Sequence, residues 1–436
     1  HMEEFRRGGD LLNRPPHEAN VAEQTEHSIN GGGLKFDYFS PNEKHRFNVF
    51  ASAQHINRDS YYGGGQDPNA YGNTTDLNWM AGSQYVYSFG KCIFMPADLT
   101  AGIEFNQDKL EDNMWGYHRT VDQKVNIGSA FFQNEWKNEH WGFLIGGRLD
   151  KHNLIDHVIF SPRANLRYNP TENINLRFSY SSGFRAPQAF DEDLHVENVG
   201  GNVAMVELAD NLKEERSQSL SASADIYHRF GAFQVNFLVE GFYTKLSDVF
   251  ALTDGEVVDG ILTRTRYNAP GARVMGLTLE GKMAYLTKFQ VQAGVTLQQS
   301  HYSEPHVWNK EAPAVKKMMR TPNTYGYFTA TYTPIKPLSI ALSGTYTGSM
   351  LVPHEPVPGF LEKPITVNTK DFFDIGLKAA YDFKLYKSMN LQVNAGVQNI
   401  FNAYQNDFDK GADRDSGYIY GPSLPRSFFA GVKISY

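Results

Sequence analysis

The sequence predicts an all-β protein, an antiparallel transmembrane β-barrel, and three observations support this fold class. Segments in which apolar and polar residues alternate recur throughout the 436 residues, and such alternation is typical of strands with one apolar face. Many segments reach ten residues or more, which suits a tilted strand that crosses a bilayer better than a strand of a soluble sheet. Short and long connections alternate between them, as in bacterial outer-membrane barrels.

Composition agrees with this class and excludes several others. Aromatic residues make up 14% of the chain, and together with 38 glycines they favour strands over helices. No run of eighteen apolar residues occurs, so no transmembrane helix is expected. The net charge of −7 without a basic stripe gives no support to nucleic-acid binding. A lone cysteine, Cys92, excludes an internal disulfide, and no signal peptide opens the chain.

About seventeen strands are predicted from the alternation. In FDIGLKAAYDF, for example, Phe373, Ile375 and Leu377 share one face while Asp374 and Lys378 occupy the other. The apolar faces are expected to meet lipid and the polar faces the lumen. The predicted strands are 27–39, 45–56, 77–89, 97–107, 125–137, 141–150, 157–168, 172–182, 215–229, 233–248, 261–285, 288–300, 323–333, 337–348, 372–384, 389–400 and 425–436.

The connections give the barrel its direction. Tight turns are predicted at 40–44, 137–140, 169–173, 230–232, 285–289, 333–337 and 385–390. Long loops are predicted at 57–76, 108–124, 183–214, 249–260, 301–322, 349–371 and 401–424, and 151–156 is the short exception. Because the C-terminus of such a barrel lies in the periplasm, the long loops fall on the extracellular side and the turns on the periplasmic side.

The last strand, PRSFFAGVKISY, alternates and ends on an aromatic residue. Its apolar residues Phe428, Val432, Ile434 and Tyr436 resemble the signal that outer-membrane barrels present to the barrel-assembly machinery. The alternative is an ordinary last strand.

Several motifs resemble those of TonB-dependent outer-membrane receptors. GFRAPQAFDEDLH, followed by DNLKEERSQSLSAS, resembles their "RAP … NLKPE" region, with Phe184, Arg185, Ala186, Pro187, Asn211 and Leu212 as the matching residues. NAPGARVMGLTLEG, GVQNIFNAYQ and YGPSLPRSFFAGVKI resemble later strands of the same family. On this resemblance, residues 1–436 are identified as the β-barrel domain of such a receptor.

The resemblance implies a 22-stranded barrel filled by an N-terminal plug. We therefore expect that the plug and the first strands are missing from this chain, and that HMEEF is the stub of one more strand. The implied function is energised uptake of a scarce metal chelate (cobalamin, haem or a ferric siderophore) across the outer membrane of a Gram-negative bacterium. The implied partners are the TonB–ExbB–ExbD complex, acting through the plug, and a surface lipoprotein.

The loop after the RAP motif carries the first candidate ligand residues. Haem receptors of the family have a FRAP motif, a haem-ligating histidine and an NPxL motif here. His195 follows the FRAP motif, but Asp210-Asn211-Leu212 lacks the proline of the second motif. His195 is a candidate metal ligand or a solvated loop histidine. Arg185 is a candidate for pairing with an anionic ligand or with a neighbouring loop carboxylate.

Other external loops carry soft and aromatic side chains. A surface for a planar or metal-bearing ligand is predicted from these, the alternative being that barrel loops are rich in aromatic residues in general. The candidate residues are His301, His306, Trp308, Met318, Met319 and His354.

Four acidic residues cluster in the last external loop: Asp407, Asp409, Asp413 and Asp415. Their oxygens are the ligands that calcium prefers, although the glycine and final glutamate of an EF-hand are absent. The alternatives are a calcium site and a solvated acidic loop. No other cofactor is predicted.

An enzyme is not expected, because G-x-S-x-G, H-E-x-x-H and phosphate-loop motifs are absent. A passive porin-like channel or an adhesin barrel is the main alternative to the receptor. An outer-membrane hydrolase would require a Ser/His/Asp cluster that the sequence does not reveal.

Overall fold

The computed structural model describes residues 2–7, 11–199, 202–386, 388–422 and 424–436. In this part of the chain, 21 of 23 strands form one large sheet, which confirms the all-β prediction. Two short strands, β19 and β20 below, pair separately. The strands are β1 Met2–Arg7, β2 Val21–Phe39, β3 His45–Gly64, β4 Tyr71–Cys92, β5 Met95–Met114, β6 Arg119–Lys137, β7 Trp141–His152, β8 Ile159–Thr171, β9 Ile174–Arg185, β10 Glu197–Val199, β11 Asn202–Leu208, β12 Glu215–Phe230, β13 Phe233–Val258, β14 Ile261–Tyr285, β15 Phe289–His306, β16 Val315–Lys317, β17 Thr324–Ile335, β18 Leu338–Thr347, β19 Leu351–His354, β20 Ile365–Asn368, β21 Phe372–Tyr386, β22 Met389–Gln398 and β23 Ser427–Ser435.

Helical structure is confined to short connections within the described residues. These are the α-helix α1 Asp191–Leu194 and the 3₁₀ turns Pro16–Glu18 and Trp115–Tyr117. No helix in this part of the chain is long and apolar enough to span a membrane.

All seventeen predicted strands are present, and the stub at the N-terminus forms β1. The predicted extracellular ends were wrong for several strands: β3, β5 and β13 continue to Gly64, Met114 and Val258. Neighbouring strands go on pairing above the bilayer, but there the alternation fades because lipid no longer selects one face. The short strands β10, β11, β16, β19 and β20 were not predicted, because three to seven residues carry too little periodic signal.

Neighbouring strands pair in chain order and antiparallel, from β1–β2 to β22–β23. One parallel ladder departs from this order, where β11 pairs with the outer part of β14. Among the described residues no ladder joins β23 to β1 or β2.

The short turns gather at one end of the sheet, next to a row of aromatic residues. Phe233, Tyr285 and Phe289 face each other across β13, β14 and β15 at this end. Trp141 stacks on Tyr168 with ring centroids 4.2 Å apart. Aromatic girdles of this kind mark the membrane interface of outer-membrane barrels.

The buried apolar clusters lie at the opposite end, where the long loops fold together. The largest consists of Ala19, Ala22, Tyr61, Tyr62, Ala70, Met114, Tyr117 and Met205. It joins β3, β5 and β11, which belong to distant parts of the sequence. The extracellular mouth of the barrel is therefore a packed structure.

Candidate ligand-binding site at the barrel mouth

The connection between β9 and β12, which we call the mouth loop (described residues 186–199 and 202–214), turns inward over the lumen. Its strand β11 pairs with β14 from Val203↔Ile261 to Leu208↔Arg266. Its helix α1 contacts β3, which lies nine ladders away from β14 around the sheet. One loop therefore touches two distant walls of the barrel.

The contact with the first wall is an ion pair to a buried arginine. Arg58 of β3 is 4% exposed, and its Nη1 donates to Asp191 Oδ1 over 2.7 Å. Arg58 Nε donates to Thr74, whose hydroxyl donates to the buried Asp112 over 2.6 Å. Arg119 Nη1 also donates to Asp112, over 3.3 Å. Since buried charges are costly unless they are paired, these side chains hold each other in place.

The second wall contributes Arg266 of β14. Its Nη2 lies 2.5 Å from Asp193 Oδ1 and 3.2 Å from Glu192 Oε1. Asp193 is 2% exposed, and its second oxygen accepts from the backbone of Phe190 over 2.8 Å. Burial raises the pKa of Asp193, and Arg266 opposes that rise. The carboxylates of α1 thus reach both β3 and β14.

His195, the candidate metal ligand, is engaged by two carboxylates. Its Nε2 lies 3.5 Å from Asp191 Oδ2 and its Nδ1 lies 3.4 Å from Glu23 Oε1. Asp191 and Glu23 raise the pKa of His195 to about 9. The ring is therefore a cation at neutral pH, and an imidazolium has no free nitrogen lone pair for a metal.

Arg185 of the RAP motif has the structural contact that was one of its two predicted roles. Its Nη2 donates to Glu192 Oε1 over 2.5 Å, and its guanidinium lies 4.0 Å from the ring centre of Phe190. In the same motif Ala186 is buried, and Phe184 packs against its cluster. The FRAP residues thus anchor the start of the mouth loop.

The loops at 349–371 and 401–424, which we call the loop pair, form a second packed body. His354 stacks on Tyr418 with ring centroids 3.8 Å apart, and its Nε2 lies 2.9 Å from Asp409 Oδ2. Arg264 joins this body to the mouth loop. It donates to Glu355 over 2.8 Å and to Glu197 over 3.0 Å.

Three of the four aspartates proposed for calcium accept internal hydrogen bonds instead of converging. Asp407 accepts from the hydroxyl of Tyr420, and Asp415 accepts from the backbone of Glu355 and Gly417. Asp413 is exposed. No group of three histidine, cysteine or acidic residues placed to hold a metal occurs in the described ranges. The calcium site stays a prediction without geometric support.

The remaining candidate residues are not brought together. His306 lies near Tyr302, with ring centroids 4.8 Å apart, and burial lowers its pKa. Trp308 is buried, and within the described part of the chain its indole Nε1 has no hydrogen-bond acceptor. The backbone N–H of Met318 donates to Ser300, and Met319 accepts from Thr321.

Other sequence candidates have different surroundings. His301 faces Arg273 and Lys317 across neighbouring strands, apart from His306 and Trp308. Asn211 is exposed, and the backbone N–H of Leu212 donates to Ala209 in a turn of the mouth loop. The last-strand residues Phe428, Val432, Ile434 and Tyr436 are all at least 63% exposed.

Sequence reasoning missed the wall residues Arg58, Asp112, Arg119 and Arg266. Each lies near the extracellular end of a long strand, on the face opposite to the lipid-facing residues. A charge on the lumen side of a strand is ordinary, so its position alone carries no signal. These four residues form part of the candidate site only because the mouth loop folds against them and places the residues of α1 next to Arg58, Arg119 and Arg266.

A family model with the description "TonB dependent receptor-like, beta-barrel" matches residues 6–400. No curated protein matches the sequence. Among solved structures, the siderophore receptor PirA from Acinetobacter baumannii is 15% identical, with a TM-score of 0.68 over 95% of this chain and 62% of its own.

Two further solved structures are similar in the same way. The ferric-catecholate import receptor Fiu from Escherichia coli K12 is 14% identical, with a TM-score of 0.67 over 95% of this chain and 64% of its own. The FrpB iron transporter from Neisseria meningitidis is 15% identical, with a TM-score of 0.66, and the match covers 99% of this chain and 68% of the transporter. At these identities the likeness establishes the fold, and this chain spans 62–68% of the length of the three structures.

Proposed function

The chain belongs to the TonB-dependent receptor-like β-barrel family of the outer membrane, and from this premise we propose that the full-length protein imports a ferric siderophore with energy transmitted by TonB. The ligand would bind among the extracellular loops. TonB would act with ExbB and ExbD through a plug segment upstream of this barrel.

The observation that carries the proposal is the mouth loop bound to two distant walls of the barrel. A passive channel works best with an open mouth. Here Asp191 and Asp193 of one loop are held by the buried Arg58 and Arg266 on opposite sides. A loop placed in this way supports a receptor that captures its ligand and admits it after a conformational change.

The choice of ligand rests on two supports. The similar structures are a siderophore receptor, a ferric-catecholate import receptor and an iron transporter. In addition, His195 is held as a cation by Asp191 and Glu23, which does not suit a haem-iron ligand. A ferric siderophore needs no protein ligand on the metal, because its iron is already fully chelated. Cobalamin and haem remain the alternatives for the test.

The mouth loop would open for the ligand and close over it. Opening separates charged groups that are buried in the closed loop, and the ligand together with water must replace those contacts. Arg264 would transmit this movement to the loop pair, since it pairs with Glu197 on one side and Glu355 on the other. Assembly by the barrel-assembly machinery and a capping surface lipoprotein belong to the same proposal.

The test is uptake by cells that carry the full-length protein as their sole receptor. Iron-55 complexes of a catecholate siderophore, a hydroxamate siderophore and haem, and cobalt-57 cyanocobalamin, are supplied at nanomolar concentration with and without an uncoupler of the proton gradient. We expect saturable uptake of one ferric siderophore that stops with the uncoupler. Uptake of haem or cobalamin alone would overturn the ligand class, and uptake insensitive to the uncoupler would favour the passive channel.

A further inference from the structure

A row of basic residues crosses the outer surface of the barrel, halfway along β13 and β14 and onto β15 and β16. Lys245 faces Arg273, Arg273 faces His301, and His301 faces Lys317 in consecutive ladders. Residues directly opposite each other in antiparallel ladders project from the same side of the sheet. We call Lys245, Arg273, His301 and Lys317 the outer basic row.

The row lies on the lipid-facing side of the sheet. Side chains two and four residues apart on one strand share a face. Arg273 therefore shares its face with Met275 and Leu277, and His301 shares its face with Leu297. These apolar residues are 36%, 39% and 49% exposed, as lipid-facing residues of an isolated barrel should be.

The row also stands at the height of the outer-leaflet headgroups. Lys245, Arg273 and His301 are each twelve residues from the aromatic residue at the periplasmic end of their strand, Phe233, Tyr285 or Phe289. Twelve residues at about 3.3 Å each, tilted by roughly 40°, rise about 30 Å. The apolar band of an outer-membrane barrel is about 25 Å tall, so the cations lie just above it.

Within the part of the chain that the structure describes, no carboxylate pairs with these cations. Among the described residues, Lys245, Arg273 and Lys317 form no ion pair. On the outer face, the ladder positions next to the row hold Arg216, Ser247 and Gly271 above it, Gln218 beside Lys245, and Leu220, Tyr243, Met275 and Gln299 below it, and none of these is a carboxylate. Lys245, Arg273 and Lys317 therefore present three positive charges to the lipid headgroups without an ion-pair partner among the described residues.

An apolar groove lies directly beneath the row. It has a volume of about 830 Å³ and is lined by Phe178, Leu220, Gly241, Tyr243, Leu277 and Leu297 among others. The groove exists because Gly241 contributes no side chain: a Cβ placed there would meet no atom within 4 Å. Its wall residues Tyr243 and Leu277 are two and four positions below the cations on the same strands.

We propose that this face is a binding site for a phosphorylated lipid of the outer leaflet, with phosphate groups on the outer basic row and an acyl chain in the groove. Lysine and arginine pair strongly with phosphate oxygens. The occupant is a lipid and not a soluble anion, because the cations and the groove share one face at the membrane surface. The inference depends on the barrel being in the membrane and not on the transported ligand.

A second pair of outer-face lysines provides the contrast. Lys109 faces Lys124 across β5 and β6 at the extracellular end of those strands. There, however, Lys109 is 2.5 Å from Glu111, and Glu111 faces Asp122. This pair is neutralised by adjacent carboxylates and serves as the matched control.

The experiment uses the full-length receptor, delipidated in detergent and titrated with bisphosphorylated lipid A while native mass spectrometry counts bound lipid. The variant K245Q/R273Q/K317Q is compared with K109Q/K124Q. Each cation near an anionic membrane surface contributes about 1 kcal/mol, so the triple variant should bind about a hundredfold more weakly. The control should stay within about twofold of the wild type. All variants should retain heat-modifiable mobility, because none removes a buried contact.

Two further measurements separate the parts of the site. Dephosphorylated lipid A should bind the wild type as weakly as the triple variant binds the intact lipid. Gly241→Leu should weaken binding of the lipid but not of the deacylated bisphosphorylated disaccharide. Unchanged affinity of the triple variant, or equal affinity for the dephosphorylated lipid, would overturn the proposal. Disaccharide binding as tight as that of the intact lipid would make this a soluble-anion site and overturn the lipid assignment.

Discussion

Replacement of Arg266 by methionine should release the mouth loop while leaving the barrel folded. Arg266 is 6% exposed and pairs with Asp193, which is 2% exposed, over 2.5 Å. Removing one partner of a buried ion pair typically costs about 3–5 kcal/mol, because the other charge stays buried without compensation. The mouth loop can avoid this cost by opening away from β14, where its other contacts include the β11 ladder, the Arg264–Glu197 pair and the hydrogen bonds between Asn268 and the backbone of Lys213.

Hydrogen–deuterium exchange of the mouth-loop amides measures the effect. A loss of about 3–5 kcal/mol in local opening free energy corresponds to exchange that is faster by roughly two to three and a half orders of magnitude. The strand amides of β13 and β14 below Gly271 should exchange at the wild-type rate. The same ladder hydrogen bonds are present with either side chain.

Two variants make this test specific. In D193N/R266M both charges are gone, so the acceleration should be largely reversed. Lys109→Met breaks an exposed pair of a kind that contributes about 0–1 kcal/mol, and should leave the loop unchanged. Wild-type exchange in the Arg266 variant, or equal acceleration throughout the barrel, would refute a mouth loop held by this ion pair.

Three other outcomes are expected. The two carboxylate partners of His195 raise its pKa to about 9, compared with about 6.5 in the unfolded chain. The stabilisation that they provide is therefore complete below about pH 6.5 and is lost as the pH rises to 9. Protease sensitivity of the mouth loop should rise over this pH range in the wild type and stay flat in His195→Gln. Leu377→Arg places a charge on the lipid face and should destabilise the barrel by about 2–4 kcal/mol, whereas Lys378→Arg should be neutral, as judged by heat-modifiable electrophoretic mobility. His354→Phe keeps the ring stack but leaves the buried Asp409 with fewer donors, so limited proteolysis should cut the 401–424 loop faster.

The strands of the barrel could be predicted from the sequence because contact with lipid on one face makes apolar and polar residues alternate along every membrane-spanning strand. Leu377 and Lys378 were assigned to opposite faces on this basis, and the ladders place them so: Leu377 faces Leu342 and Val397, while Lys378 faces Ala341 and Gly396. The same rule failed above the membrane. There, β13 continues to Val258 without a lipid-selected pattern, whereas the start of β14 at Ile261 was predicted.

The site was harder to predict because it depends on contacts between distant segments. His195 was selected as a chemically suitable residue, but only the fold shows that Asp191 and Glu23 flank it. His301 was grouped with His306 by proximity in sequence, whereas strand parity directs it to the outer face. Parity could have been read from the alternation of VTLQQSH, so the sequence contained a signal for this position. The partnership of Arg58 with Asp191, 133 residues apart, had none.

Immobilising the mouth loop tests most directly the claim that it gates import. The full-length receptor would carry Arg58→Cys and Asp191→Cys, with the native Cys92 replaced by serine, and would be joined by a reducible bismaleimide. These two side chains approach to 2.7 Å in the closed loop, so a short linker spans them. Iron-55 siderophore uptake should stop in the cross-linked cells and return after reduction. Undiminished uptake through a fully cross-linked receptor would contradict gating by the mouth loop.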